Sequence, residues 1–364
     1  MSDELEKVTP LYDERRKRRS RGWGGRHPGA VELTEHGLAC AFTERHGRLA
    51  SFDHELGCWA YWCEDAGFWR FDRVGLVTHW ARNVCAESTE GEKESLQAKL
   101  RKRSTVGAVE SFARCDPTHA VTADIWDADS MLLGVPGGVV DLRDGRMREA
   151  RPADRITKQA AVAPDFTGDC PRWLHFLEEV TGGDEDMIAF LQMWVGYCLT
   201  GEAREHKLVF LYGEGENGKS VFLNTVRALI GDYAQQAAMD TFLASRHERH
   251  STKLAALRGA RLVAVSEVGE GRSWDEAKFK ALTGGDKVRA RFMRQDEFEF
   301  TPAFKLFIIG NHKPQLRNVD PAMKRRLRFV PFTQKPAKPD SFLEDALREE
   351  WPGILAWGAM RESC

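Results

Sequence analysis

The stretch that decides the fold is FLYGEGENGKSVFLNTV, residues 210–226. Just before it, residues 207–212 form an apolar run of strand length, and residues 221–230 have the apolar spacing of a helix. The intervening pattern is G-x-x-x-x-G-K-S, a turn in which backbone N–H groups and a helix N-terminus point at an anion. Glycine-rich turns also occur without function, but here strand, turn, Lys-Ser pair and helix agree. The sequence therefore predicts a phosphate-binding loop.

The residues of this loop have separate expected roles. Lys219 is expected to reach the β- and γ-phosphates of a nucleotide, and the Ser220 hydroxyl to hold Mg²⁺. The cofactors implied are ATP and Mg²⁺. The residues expected to bind the nucleotide are Gly213, Gly215, Glu216, Asn217, Gly218, Lys219, Ser220 and Val221.

Length and composition indicate a soluble, folded protein of two or three domains. The chain has 364 residues, of which 42% are hydrophobic and 30% charged. It contains no run of 18 apolar residues, and its first 22 residues are charged where a secretory signal would need an apolar centre. We therefore expect a cytoplasmic protein without a membrane partner.

Cysteine spacing and net charge exclude little else. The eight cysteines contain no C-x-x-C pair, so neither a zinc site nor a disulfide framework is indicated. The net charge is only −2, but a nucleic acid responds to local potential rather than to the sum. Basic clusters that could meet a nucleic acid lie at residues 15–21, 99–103, 287–294 and 324–328.

Composition shifts divide the chain into four parts. Residues 1–31 are predicted to be a disordered basic arm, which either contacts phosphate or is simply solvated. Residues 32–165 form an accessory N-terminal domain, residues 166–203 a helical collar or linker, and residues 204–364 the P-loop ATPase domain.

The accessory part is mostly helical, with two β elements. Residues 58–72 (CWAYWCEDAGFWRFD) predict a hairpin with its turn at residues 65–67. Its tryptophans could stack on bases, but we interpret Trp59, Trp62 and Trp69 as core. Turn chemistry within residues 132–154 predicts a second, small β element.

Two further strands carry polar side chains at their carboxyl ends. Glu267 follows the apolar run 262–265 and is the candidate that orients the attacking water. Ser266 stands where many such enzymes have an Asp, so Mg²⁺ would rely on Ser220 and, through water, on Glu267. Glu270 is a second acid that could share this role. Asn311 follows the apolar strand 304–309 and suits a γ-phosphate sensor.

Two arginines form the last candidate group. Arg325 and Arg326 end a predicted short helix that precedes the predicted strand 327–332. An arginine at the γ-phosphate of a neighbouring subunit can raise the hydrolysis rate by about 10³- to 10⁵-fold. Alone, the pair would indicate a solvated helix end; with the preceding motifs it favours an arginine finger.

The order of these segments resembles the superfamily 3 helicases, in particular the helicase portion of the phage, plasmid and poxvirus primase-helicases. The upstream half is similar to that family's accessory domain. The segments that carry the resemblance are GGVVDLRDG at 137–145, MWVGYCLTG at 193–201, GEGENGKS at 213, SEVGEG at 266, KALTGGDKVRAR at 280–291, IIGNHKP at 308–314 and KRRLRFVPF at 324–332, with the Trp-rich patch.

The resemblance implies an AAA+-like α/β domain with a parallel central sheet, preceded by a mainly helical α+β accessory domain. It implies a hexameric ring with ATP at the subunit interfaces and single-stranded DNA through the middle. Lys219 and Ser220 take the Walker A roles and Glu267 the Walker B role. Asn311 becomes sensor 1, and Arg325 or Arg326 the finger.

The resemblance also implies a motif at 280–291 that leads into a pore hairpin. Residues 287–300 are strand-like, and their cations could contact a DNA backbone. Alternatively, Arg291 closes onto the nucleotide or onto a carboxylate such as Asp286. The candidate DNA-binding residues are Lys287, Arg289, Arg291 and Arg294.

Two departures leave the function open. A primase domain commonly precedes this region, and family members continue beyond GILAWGAMRESC at the C-terminal end. We expect a truncated or minimal helicase of phage, plasmid or mobile-element replication in a bacterial cell, with a separate primase or initiator as partner. The alternatives are an ATP-gated loader or interference factor that does not unwind DNA, and a small-molecule P-loop kinase.

Overall fold

The computed structural model describes residues 31–243, 251–266, 274–292, 296–311, 321–336 and 338–359. Contacts divide the chain after Ile125 into two units. The described part of the first unit is residues 31–64 and 69–125, and the second holds residues 65–68 and those from 126 onward. The domain limits at 165 and 203 stay predictions. The predicted basic arm lies almost wholly outside the described residues.

Helices dominate the first unit, and a four-stranded sheet accompanies them in the order β3-β2-β1-β4. Its aromatic hairpin forms as predicted, and Trp59, Trp62 and Trp69 are 1–8% exposed, which confirms them as core. The elements are α1 Glu35–His46, β1 Ala50–Asp53, β2 Cys58–Cys63, β3 Phe68–Phe71, α2 Leu76–Glu87, α3 Glu94–Leu100, α4 Arg103–Cys115 and β4 Ala120–Val121.

The second unit begins with a small antiparallel sheet and two helices. The sheet confirms the predicted β element, with order β5-β6-β7. Asp184 accepts a hydrogen bond from the Met187 backbone N–H and so caps the second helix. The elements are β5 Leu132–Val135, β6 Gly138–Asp141, β7 Arg146–Arg148, α5 Pro171–Thr181 and α6 Glu185–Leu199.

A five-stranded sheet of order β14-β8-β13-β10-β9 follows, with every neighbouring pair parallel. The elements of this part of the chain are β8 Leu208–Tyr212, α7 Lys219–Ile230, β9 Ala234–Ala238, α8 Ser251–Ala255, β10 Leu262–Ser266, α9 Glu276–Gly284, β11 Val288–Arg291, β12 Glu297–Phe300, β13 Lys305–Gly310, α10 Pro321–Arg326, β14 Leu327–Pro331, α11 Leu343–Glu349 and α12 Trp351–Ala359. Strands β11 and β12 form a separate hairpin. The predicted fold class is confirmed.

The position of β13 sets the geometry of the site. The central strands are buried on both faces, and their unbroken apolar runs are typical of a parallel sheet covered by helices. Because β13 lies between β8 and β10, its carboxyl end at Gly310 lies beside those of both neighbours. Ligands of open α/β sheets bind at this edge. Within the described part of the chain, no helix combines the length and apolar character that crossing a bilayer requires.

A buried lysine, Lys305, begins β13 and so lies at the amino-terminal ends of the strands. The Lys305 ammonium donates to the backbone carbonyls of Thr200 and Glu202, just past the end of α6, and lies 4.7 Å from the centre of the Tyr197 ring. Burial lowers the pKa of Lys305 to about 7; nearby Arg261 acts in the same direction, and Cys198 and Glu202 oppose it. Lys305 thus anchors the end of α6 to the sheet, at the cost of burying a charge.

This buried charge predicts a pH dependence of stability. Since the pKa falls from 10.5 to about 7, the unfolded chain binds more protons between these pH values, and stability rises with pH through that window. Relative to Lys305→Met, the wild type should gain up to about 1.4 kcal/mol per pH unit in its free energy of unfolding. Urea unfolding between pH 6.5 and 9.5 measures this. Lys99→Met, at an exposed position, is the control; parallel pH curves for wild type and Lys305→Met would contradict the prediction.

Candidate nucleotide-binding site

A cavity of about 290 Å³ lies at the carboxyl edge of the sheet. It brings together three segments distant in sequence: the loop after β8, the end of β10 and the end of β13. Of the predicted site residues, the loop from Gly215 to Val221 and Asn311 line it. The lining residues are Gly215, Glu216, Asn217, Gly218, Lys219, Ser220, Val221, Ser266, Ile309, Gly310 and Asn311.

The loop requires glycine at two positions. A Cβ on Gly213 would lie 1.9 Å from the Phe332 carbonyl oxygen, so the backbones could not approach this closely with any other residue. Gly218 has φ of 81° and directly precedes α7, with no side chain capping the helix. The N–H groups of the first turn of α7 can therefore meet an anion. Glu216 also adopts a left-handed conformation, with φ of 64°, as residues at ligand-binding loops often do.

The side chain of Lys219 is folded into the loop. Its Nζ donates to the carbonyl oxygens of Gly213 at 2.6 Å and Glu214 at 3.0 Å, and to Asn217 Oδ1 at 2.8 Å. Burial lowers the pKa of Lys219. The carbonyl groups hold the ammonium at the cavity, where phosphate oxygens would be stronger, charged acceptors.

Asn217 connects the loop to the end of β14, a link that the sequence did not predict. The residue is 3% exposed. Its Oδ1 accepts from Lys219, and its Nδ2 donates to the carbonyl oxygen of Phe332, which directly follows β14. The two residues are 115 positions apart, so no local pattern could have indicated the contact. The position of the lysine is therefore tied to a strand outside the loop.

The other predicted residues of this edge are placed as follows. Ser220 is exposed and borders the cavity, where its hydroxyl fits a Mg²⁺ ion bound with a nucleotide. Ser266 ends β10, and Asn311 directly follows β13; both border the same cavity. Glu267, and with it Glu270, lies outside the described residues.

Arg325 and Arg326 lie at the amino-terminal ends of the parallel strands, whereas the loop of the same chain follows the carboxyl end of β8. In the parallel pairing of β14 with β8, Leu327 is opposite Leu208 and Pro331 opposite Tyr212. The arginines precede Leu327, whereas the loop follows Tyr212. From Leu327 to Pro331 the strand advances by four residue steps, which separates the arginines from the loop by about 13 Å along the strand direction. Neither arginine is therefore placed to serve the loop of its own subunit.

The two arginines have different surroundings. Arg326 is half-buried, its Nη1 donates to the Ala322 carbonyl in its own helix, and its Nη2 lies near Gly284. The Arg325 side chain is exposed, while its carbonyl accepts from Lys207 Nζ at 2.9 Å, which anchors the backbone. Exposure and a fixed backbone make Arg325 the better candidate for a contact with another subunit.

The β11–β12 hairpin carries its charges on one face. Val288, Ala290, Phe298 and Phe300 pack toward the core, so the cations point outward. Each arginine of β11 faces a glutamate of β12: Arg289 opposite Glu299, with a 3.0 Å ion pair, and Arg291 opposite Glu297.

The acids reduce the positive potential of this face. Lys287, just before β11, is exposed, and Arg294 lies outside the described residues. Arg291 faces Glu297 across the hairpin, and the Asp286 carboxylate lies near Gly284. Among the described residues, the hairpin cations do not line the nucleotide cavity.

Two family models match separate parts of the chain. Residues 39–182 match the family described as D5 N terminal like, and residues 211–326 match a family of unknown function. A helicase-named protein of Acanthamoeba polyphaga mimivirus is 27% identical over 64% of this chain and 25% of its own length. A helicase-named protein of Invertebrate iridescent virus 6 is 30% identical over 62% of this chain and 25% of its own length. The chain thus spans about a quarter of the length of these relatives.

Among solved structures, the apo C-terminal region of NrS-1 superposes with a TM-score of 0.56, covering 92% of this chain and 71% of that one. At 11% identity the likeness concerns the fold alone. Fold and cavity together define a P-loop AAA+-like protein with a helical accessory unit. The chain is similar to helicase-named viral proteins, which supports the predicted resemblance to helicases of primase-helicase type, and residues 39–182 match the D5 N-terminal-like family.

Proposed function

We propose that the chain is the ATP-hydrolysing motor of a DNA helicase that works as a ring, with ATP bound between subunits. The observation that carries the proposal is the separation of Arg325 from its own loop across the length of β14. An arginine so placed can act only on a nucleotide held by another subunit. Hydrolysis would then depend on assembly, as a ring of translocating subunits requires.

Within one subunit, the cavity residues would share the chemistry of phosphoryl transfer to water. Lys219 would exchange the loop carbonyls for the β- and γ-phosphates, and Ser220 would hold Mg²⁺. Asn311 would bind the γ-phosphate and help to position the attacking water, which Glu267 would orient. These residues include no arginine that could stabilise the negative charge developing on the phosphate in the transition state. Arg325 of a neighbouring subunit would supply it.

The DNA partner is proposed to be single-stranded or forked DNA, with Arg289, Arg291 and Lys287 contacting its backbone. A hexamer is the assembly that the family resemblance implies, and a separate primase or initiator would complete a replication complex. The viral origin of the helicase-named relatives supports a role in replicating a virus or mobile element.

The test is to measure ATP hydrolysis with and without single-stranded DNA, strand displacement from a forked duplex, and native mass with a non-hydrolysable ATP analogue. DNA-stimulated hydrolysis, displacement and a multi-subunit particle would support the proposal. Tight ATP-dependent DNA binding without displacement would indicate a loader instead. Phosphate transfer to a small molecule by a monomer would indicate a kinase.

The mixed charge of the hairpin predicts opposite effects of two substitutions on DNA binding. Arg291→Ala removes one phosphate contact and should weaken binding, lowering the slope of log K against log salt by about 0.7. Glu297→Gln removes the acid opposite Arg291 and should strengthen binding. Fluorescence anisotropy with a labelled oligonucleotide, over a series of salt concentrations, measures both. Arg146→Ala, on exposed β7, is the control; equal effects of all three variants would contradict a specific role for the hairpin.

A further inference from the structure

Residues 200–207 join α6 to β8, and we call this segment the connector. Side chains outside the connector hold it in place. The Lys305 ammonium donates to two of its backbone carbonyl oxygens, and the Tyr197 hydroxyl accepts a hydrogen bond of 3.1 Å from the backbone N–H of Glu205. The connector is therefore fixed against the sheet and α6 just before its last two residues.

His206 of the connector holds the end of the helix that leads into the β11–β12 hairpin. Its Nδ1 lies 2.8 Å from the carbonyl oxygen of Thr283, in the last turn of α9, and Nδ1 is the donor because a carbonyl oxygen only accepts. Residues 285–287 alone lie between the end of α9 and the start of β11. The backbone of His206 is left-handed, with φ of 52°, a conformation that persists in a residue with a Cβ only where surrounding contacts impose it.

Lys207, the next residue, holds the end of the helix that carries Arg325. Its Nζ donates to the Arg325 carbonyl oxygen at 2.9 Å. Arg325 is in the last turn of α10, where the helix leaves its backbone carbonyls without partners and a lysine side chain can cap them. Two neighbouring residues of the connector thus bind the ends of two helices, one before the hairpin and one at the arginine.

Apolar packing joins the same helices to the hairpin. Met323 of α10 is fully buried, in one hydrophobic cluster with Phe279 and Leu282 of α9. The same cluster contains Ala290 of β11 and Phe300 of β12. Because a close-packed interior deforms little, a displacement of the hairpin would also be felt by both helices.

We propose that His206 and Lys207 are positioning residues, which hold Arg325 and the base of the hairpin to one connector. The inference rests on the proposed function, because it takes Arg325 to act on a neighbouring subunit's nucleotide and the hairpin to contact DNA. A hairpin that DNA displaces would then move the end of α9, and with it the connector and the backbone of Arg325. Misplacing a catalytic group by about 1 Å can lower a rate by about 10²-fold, so these two contacts would set how strongly DNA affects hydrolysis.

The test removes each contact and then restores it. His206→Gly deletes the ring, whereas His206→Asn places an amide donor near the position of Nδ1, and both new residues tolerate the left-handed conformation. Lys207→Met deletes the ammonium but keeps most of the stem, and Lys207→Arg restores a donor. ATP hydrolysis with a single-stranded oligonucleotide gives kcat and KM, and fluorescence anisotropy gives Kd for the oligonucleotide. Arg204→Met is the control, because this exposed cation of the connector pairs with Glu202 within it.

We expect His206→Gly and Lys207→Met each to lower kcat with DNA by about fivefold or more, while KM for ATP and Kd for DNA change less than about twofold. His206→Asn and Lys207→Arg should recover most of the rate. The double variant should lose little more than the worse single variant, because both contacts act through one connector. Since the two residues are replaced separately, poor folding of one variant leaves the test at the other position.

Three results would overturn the inference: wild-type kcat with DNA in both deletion variants, losses that the conservative variants do not recover, or a double loss equal to the product of the single losses. Failure of the proposed function has a different signature, because Arg325→Ala would then hydrolyse ATP at the wild-type rate. If only the inference fails, Arg325→Ala is inactive while the variants of His206 and Lys207 respond to DNA as the wild type does.

Discussion

Replacing Lys219 with alanine is expected to lower kcat for ATP hydrolysis by about 10²- to 10³-fold, the range seen when one preorganised donor to a developing negative charge is lost. The ammonium group belongs to the first residue of helix α7 and donates hydrogen bonds to Gly213, Glu214 and Asn217 of its own loop. A bound triphosphate would replace these acceptors. Without the ammonium, the phosphates would be held only by backbone N–H groups and Mg²⁺. Steady-state hydrolysis with DNA present measures the loss.

The substitution should leave the fold intact. The three hydrogen bonds of Lys219 Nζ end on loop groups that solvent can reach once the side chain is removed, so the free energy of unfolding should change by no more than about 1–2 kcal/mol. Lys93→Ala, at an exposed position just before α3, is the matched control and should keep most of the activity. Hydrolysis by Lys219→Ala at the wild-type rate would show that the loop is not the catalytic phosphate site.

Replacing Arg325 with alanine should reduce hydrolysis still more, by about 10³- to 10⁵-fold, without weakening ATP binding. The two effects separate because the Arg325 guanidinium of a neighbouring subunit would act mainly on the negative charge that develops in the transition state, and ATP that is merely bound does not yet carry this charge. Hydrolysis rates and ATP affinity, measured on the same preparation, test the separation. A loss of binding equal to the loss of rate would contradict action on the transition state.

Mixing experiments distinguish Arg325 from its neighbour Arg326. In a ring, Arg325→Ala subunits would disable adjoining sites, so activity should fall more steeply than the fraction of mutant subunits. Arg326→Ala should act differently, mainly through stability, because this guanidinium is half-buried and bonded to Ala322 in its own helix. Lys324→Ala, at an exposed position of the same helix, is the matched control. A linear fall in activity with mutant fraction would support independent monomers.

Most of the strands and helices around the loop could be predicted from local sequence patterns. The apolar run at 207–212 and the helical spacing at 221–230 became β8 and α7, with the helix beginning two residues earlier than predicted, at Lys219. The extra residues are helical because Gly218 turns the chain at φ of 81°, a detail that the pattern of apolar residues does not contain. The tryptophans of residues 58–72 were correctly assigned to the core, since alternating aromatics across a tight turn predict a packed hairpin.

The sequence by itself predicted the glycine-rich loop, the strands and helices that flank it, and the polar residues that follow the strands, because each depends on side chains close together in the chain. Only the tertiary structure decided which of these residues meet. Because β13 lies between β8 and β10, Asn311 lies beside the loop. The register of β14 against β8 places Arg325 at the amino-terminal ends of the strands, away from the loop. The link from Asn217 to Phe332 and the contacts of His206 and Lys207 arise in the same way. Such contacts join residues tens to more than a hundred positions apart, and parallel strands that are neighbours in a sheet are not neighbours in the chain.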